Sequence, residues 1–131
     1  MKDVSGIDEN GKPKHGPFEM HFKNGQVSCR GAFDQGLKSG TWTYFLNNGQ
    51  MQATGEYKAG KIAGRWVWYF KNGAPRGEGG FDDDEQKHGA WTRYHANGQL
   101  WDEGAFRHGK KTGTWKTYDE AGELVKEQTF K

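Results

Sequence analysis

Aliphatic side chains are scarce in this chain: leucine, isoleucine and valine number ten among 131 residues, and phenylalanine raises the total only to 18. Such poverty points to disorder when it comes with high net charge, but the net charge here is +2. There is one cysteine, Cys29, which excludes an internal disulfide and suits a reducing compartment. Its place on a predicted strand makes it a small buried residue and not a nucleophile. No apolar run approaches the roughly 18 residues of a membrane span, and Met1-Lys2-Asp3-Val4 leads into polar sequence without a signal-peptide core. A cytoplasmic location is therefore expected unless a leader has been removed. Nineteen basic residues against seventeen acidic ones make no field for a nucleic acid, and the lack of a polybasic patch disfavours a membrane surface. Neither sign forms a run except Asp82-Asp83-Asp84-Glu85.

What the chain has instead is 19 aromatic residues and 21 glycines, and both recur with a period. Units begin at Gly16, Gly40, Gly64, Gly89 and Gly113, so the spacing is 24 residues except for one of 25. The third residue of each is Phe18, Trp42, Trp66, Trp91 or Trp115, and the sixth is His21, Phe45, Tyr69, Tyr94 or Tyr118. Asn-Gly follows at 24–25, 48–49, 72–73 and 97–98, with Ala121-Gly122 in the last unit. A glycine then recurs at Gly31, Gly55, Gly79 and Gly104, replaced by Gln128, and an aromatic at Phe33, Tyr57, Phe81, Phe106 and Phe130. A fixed period of this length is the signature of a repeat architecture.

Each unit reads as a β-hairpin: an aromatic strand, an Asn-Gly turn, an alternating second strand and a glycine-bearing linker. Glycine every few residues and the lack of a 3.6-residue stripe exclude helix. The expected fold is all-β, an elongated single-layer array of consecutive antiparallel hairpins over residues 16–131. Residues 1–15 form a leading segment that resembles half a unit and could cap the array. Two registers stay open. A two-residue type I′ turn would put Trp42 across from Gly55, Trp66 from Gly79 and Trp91 from Gly104, with each ring covering that glycine. A three-residue loop with a bulge would instead pair Phe45 with Met51. Pro75 in the third unit marks a bulge or an unpaired edge. In the fifth, Lys126, Glu127 and Lys131 discourage edge-to-edge association.

An enzyme needs a nucleophile with an acid and base, or a metal, and no such constellation stands out. The five histidines read as solvated linker residues, although His15 and His88 share one position of the repeat. Asp82, Asp83, Asp84 and Glu85 lack the alternating ligands and glycine of an EF-hand loop, so no metal or cofactor is expected. They do form a distinctive acidic surface that could meet a basic partner. Most aromatic rings must be core. Trp101 differs, because Ser28, Gln52, Arg76 and Val125 hold its position in the other units. An indole that the repeat does not require is a candidate anchor for a protein partner, and Arg76, Arg93, Tyr94 and Trp101 make the first interface patch.

The pattern Gly-x-Trp-x-x-Tyr-x-x-Asn-Gly-Gln-Leu, best seen at Gly40-Thr41-Trp42 with Asn48-Gly49-Gln50-Met51 and at Gly89-Ala90-Trp91 with Asn97-Gly98-Gln99-Leu100, resembles the MORN repeat, specifically the bacterial variant of antitoxin-like proteins. The resemblance implies a spiral or gutter-shaped sheet of hairpins. Members are variously scaffolds, lipid-associated modules and, in this variant, antitoxin or immunity proteins paired with secreted toxins. The expected function is thus non-enzymatic protein binding, with steric block of a toxin ahead of a structural or membrane-surface scaffold.

Overall fold

A computed structural model of the chain describes residues 4–131. Ten strands follow one another: β1 (Gly16–His21), β2 (Val27–Asp34), β3 (Leu37–Phe45), β4 (Met51–Lys58), β5 (Lys61–Tyr69), β6 (Pro75–Phe81), β7 (Lys87–Tyr94), β8 (Leu100–Arg107), β9 (Lys110–Tyr118) and β10 (Leu124–Phe130). Each pairs antiparallel with its neighbours in chain order, giving one open ten-stranded sheet and no helix among the described residues. The Asn-Gly turns therefore line one edge of the sheet and the linkers the other.

The expected turn chemistry is exchanged between the two edges. In the first unit Phe22 N–H donates to Gln26 O at 2.8 Å and Gly25 N–H to Phe22 O at 3.0 Å. Of the loop residues Lys23, Asn24 and Gly25, only the glycine has positive φ. This is the three-residue loop, with glycine in the left-handed position, and the same closure recurs at Leu46–Gln50, Phe70–Ala74, His95–Gln99 and Asp119–Glu123. Each of the four asparagines uses its side-chain oxygen to accept the N–H two residues on, and Asp119 does this in the fifth unit. Type I′ geometry, with positive φ at both central residues, is found in the linkers Gln35-Gly36, Ala59-Gly60 and His108-Gly109.

Both proposed pairings hold within one hairpin. Phe45 faces Met51, then Gln52 bulges out of the ladder, and beyond it Trp42 lies opposite Gly55. The bulge residue in each unit is Ser28, Gln52, Arg76, Trp101 or Val125. Pro75 begins β6 beside such a bulge, and β6 is an interior strand paired on both sides.

The expectation that each tryptophan covers its own cross-strand glycine is corrected. A Cβ on Gly31 would fall 2.1 Å from the ring of Trp42, one on Gly55 as close to Trp66, and Gly79 and Gly104 lie likewise under Trp91 and Trp115. The indole covers the glycine of the preceding hairpin. The cause is a second irregularity: Arg30 pairs with Thr43 and Ala32 with Ser39, so Gly40, Thr41 and Trp42 together face Gly31, and Gly40 turns with φ +71°. The ring is tipped back across the unit boundary, where Trp42 Nε1–H donates to Ala32 O at 3.0 Å. Trp66, Trp91 and Trp115 repeat this bond to Glu56, Gly80 and Ala105.

These rings supply the core that the missing aliphatics cannot. Edge-to-face contacts run from Phe18 to Phe33 and Trp42, on through Tyr57 to Trp66, and from Phe81 to Trp91, Phe106 and Trp115. Trp42 and Trp66 are wholly buried. Lys14, Lys38, Lys87 and Lys111 each lay an ammonium 4.5 to 4.9 Å from the nearer ring they roof, and Ile62 takes that place in the third unit. In the leading segment Val4 joins the core, Ile7 bridges to Pro13, and Gly36 N–H donates to Lys14 O at 2.7 Å. Residues 1–3 of that segment lie outside the described residues.

The third linker is different in kind. Asp82 N–H donates to Gln86 O and Glu85 N–H to Asp82 O, the closure of an Asn-Gly turn, with Glu85 at φ +62° where those turns have glycine. The extra residue of this unit is spent on that larger turn.

Candidate interaction groove

The bulges create a line of hollows along the Asn-Gly edge. The first, of about 530 Å³, is lined by Met20, Ser28, Phe45, Leu46 and Gln52 among others. Leu46 and Gln52 also wall the second, of about 710 Å³, with Trp68, Phe70 and Arg76. Phe70 and Arg76 continue into a third of about 400 Å³, completed by Arg93, Tyr94, His95, Ala96 and Trp101. Four bulge residues, Ser28, Gln52, Arg76 and Trp101, thus follow one another along a shallow groove across four units. The extra residue of each hairpin has no cross-strand partner to satisfy, which leaves its side chain available for variation.

Arg76, Arg93, Tyr94 and Trp101 meet in one hollow. Trp101 is 39% exposed. The Arg93 guanidinium lies 3.9 Å from the centre of its ring, and the His95 ring stacks on it at 5.6 Å. Arg93 is itself fixed by a fork: Nε–H donates to Asp102 Oδ1 at 3.0 Å and Nη2–H to Oδ2 at 2.6 Å. That hydrogen-bonded carboxylate raises the guanidinium pKa above its ordinary value. His95 Nε2–H donates to Tyr118 O at 2.8 Å, so the stacking ring is held as well. Arg76 lies over the Phe70 ring at 5.7 Å. The anchor is rigid before any partner arrives, which lowers the ordering cost of binding.

Asp82, Asp83 and Asp84 do not join this patch. They sit on the linker edge, where Asp82 Oδ1 accepts from Asp84 N–H at 2.9 Å and Gln86 N–H at 3.0 Å. Those backbone bonds, that from Gln86 foremost and then the bond from His108, lower the Asp82 pKa from the ordinary carboxylate value.

Phe70 and His95 complete the hollow, Asp102 holds Arg93 from outside it, and none of the three was legible as a site residue. For Asp102 a signal exists. It holds the place of Cys29, Ala53 and Gly77, small inward residues, while Arg93 holds that of Met20, Tyr44 and Trp68. An arginine and an aspartate directly opposed where the first three units have a large residue and a small one constitute a paired departure.

Residues 38–59, 87–108 and 111–131 match the family model described as MORN repeat variant. With the hairpin array that surrounds them, these three matches support a MORN-repeat protein. MORN repeats are commonly protein- or membrane-binding modules. No curated protein matches it. Among solved structures the chain is similar to part of one titled "Crystal structure of GtfA/B complex bound to UDP and GlcNAc", with 14% identity and a TM-score of 0.33. That likeness takes in 98% of this chain and 28% of the other.

Proposed function

We propose that the array is a non-enzymatic protein-binding module whose groove holds a partner around Trp101, and that the partner is a toxin domain blocked by steric occlusion. The observation that carries the binding reading is the half-exposed indole of Trp101, clamped between Arg93 and His95 at a position where the repeat requires no aromatic. Interface hot spots are enriched in tryptophan and arginine set in formed pockets. The histidine in that hollow, His95, already spends Nε2 on a carbonyl, which favours a binding surface over a catalytic one. The choice of a toxin rests on resemblance to the bacterial variant alone.

The test is affinity capture with purified chain, followed by calorimetry on the recovered partner with Trp101→Ala and Arg76→Ala. Each should weaken binding by more than about tenfold, the range of a hot spot, while leaving the fold intact. Equal affinity for the double variant would reject the groove. Capture of a partner without inhibition of a toxic activity would keep the binding module and remove the toxin.

A further inference from the structure

The linker edge carries a second constellation. Asp82 lies at the start of the enlarged β6–β7 turn, His88 on β7, and His108 in the type I′ turn between β8 and β9. One ligand-capable atom from each lies within 4.8 Å of the other two. His108 Nδ1 is 2.9 Å from Asp82 Oδ2, and the two imidazole rings have centres 5.5 Å apart. We infer that Asp82, His88 and His108 form a binding site for one divalent transition-metal ion of the zinc class.

The donor set decides the class. Two imidazoles and one carboxylate suit zinc and its first-row neighbours, whereas calcium and magnesium take oxygen ligands. Two donors on a tetrahedral ion with bonds of about 2.0 to 2.1 Å stand roughly 3.4 Å apart, so the groups need only draw together by an ångström or so. The imidazoles are free to do so: His88 is exposed and His108 is 64% exposed. Asp82 is the fixed member. Its side chain is 12% exposed, its Oδ1 is held by two backbone N–H groups, and Oδ2 points at His108. The ion would replace the direct contact between His108 Nδ1 and Asp82 Oδ2 and leave an outward position for water.

The repeat supplies an internal control. In the first unit His15 occupies the His88 position, and its Nδ1 is 3.6 Å from Asp34, but Gln35 stands where His108 does. Two ligands remain there. The three-ligand site joins the turn of the third unit to the linker of the fourth, at the place where the 24-residue period is broken, so the ion would fasten these turns to each other.

The experiment is a titration of the full, tag-free chain, stripped with chelator, with zinc chloride by calorimetry and with cobalt chloride by visible absorption. One equivalent should bind, calcium should give no heat, and His88→Ala and His108→Ala should each lower zinc affinity by more than about tenfold. His15→Ala should leave it unchanged. Far-ultraviolet circular dichroism of each variant checks the fold, and His108→Gln provides a milder loss of the same ligand. Zinc affinity that survives in the folded His88 and His108 variants overturns the site, as do no binding at all and half an equivalent with dimer formation.

Discussion

The indole of Trp66 lies so tightly over Gly55 that a Cβ on that glycine would fall 2.1 Å from ring atom Cδ2. The two residues belong to different hairpins, so this contact is how one unit holds the next. An isolated hairpin is marginal in water, and each boundary must therefore contribute.

Gly55→Ala should cost about 1 to 3 kcal/mol through overpacking, and Trp66→Ala about 3 to 5 kcal/mol through loss of a wholly buried ring. Because the residues touch, the double variant should be more stable than the sum of the single losses implies, by about 0.5 to 3 kcal/mol. Urea unfolding of the four proteins measures this. Strict additivity would show that the ring can move aside and that the boundary does not depend on this fit.

The exchange of turn types gives a stabilising substitution. Ala59 is exposed at φ +50°, a conformation that disfavours a Cβ, in a linker whose next residue is already glycine. Ala59→Asn places Asn-Gly in a true type I′ turn and should add roughly 0.5 to 1 kcal/mol, seen as a higher thermal midpoint. Asn48→Ala should do the reverse, because the Asn48 side-chain oxygen accepts Gln50 N–H at 2.9 Å. A fall in midpoint for Ala59→Asn would mean the linker is set by packing against its neighbours and not by backbone preference.

How much of this could be read beforehand follows from what period and alternation encode. The succession of hairpins and the all-β sheet were legible because Gly, Trp and Asn-Gly recur in register. The direction in which Trp66 leans was not, since it depends on the irregular pairing between Thr54 with Val67 and Glu56 with Ala63, a matter of backbone geometry across a unit boundary. That Trp101 stands outside the core was legible because that residue departs from the repeat. The Asp82, His88 and His108 cluster was not, because the three residues hold unlike positions of the repeat and only the enlarged turn brings them together.

Cys29 offers a pH test. Its thiol is buried, and desolvation raises its pKa from the ordinary 9.0 despite opposing bonds from Met20 and Ser28 and the charges of Lys38 and Lys14. A raised pKa in the folded state means that its contribution to stability is complete below the unfolded-chain pKa and is lost as pH rises through the folded value. The difference in stability between the wild-type chain and Cys29→Ala should therefore be constant near neutral pH and shrink above about pH 9. Thiol reagents should label the native protein slowly and the denatured protein at once. Rapid native labelling would place the thiol at the surface.

The Arg93–Asp102 pair stands where the second and third hairpins have Tyr44 with Ala53 and Trp68 with Gly77. Arg93→Ala would leave a carboxylate only 7% exposed without its partner and should cost about 1 to 3 kcal/mol, toward the low end because the guanidinium is half exposed. Replacing the pair together, Arg93→Tyr with Asp102→Ala, restores the composition of the second unit and should give a protein at least as stable as the wild type, since a well-packed apolar pair often matches a buried ion pair. The same variant removes the guanidinium that clamps Trp101 at 3.9 Å, so it should bind the partner more weakly despite its stability. That combination separates the two roles of the pair: if the double variant unfolds more easily than the wild type, the ion pair serves the array, and if it is stable but binds unchanged, Trp101 needs no clamp.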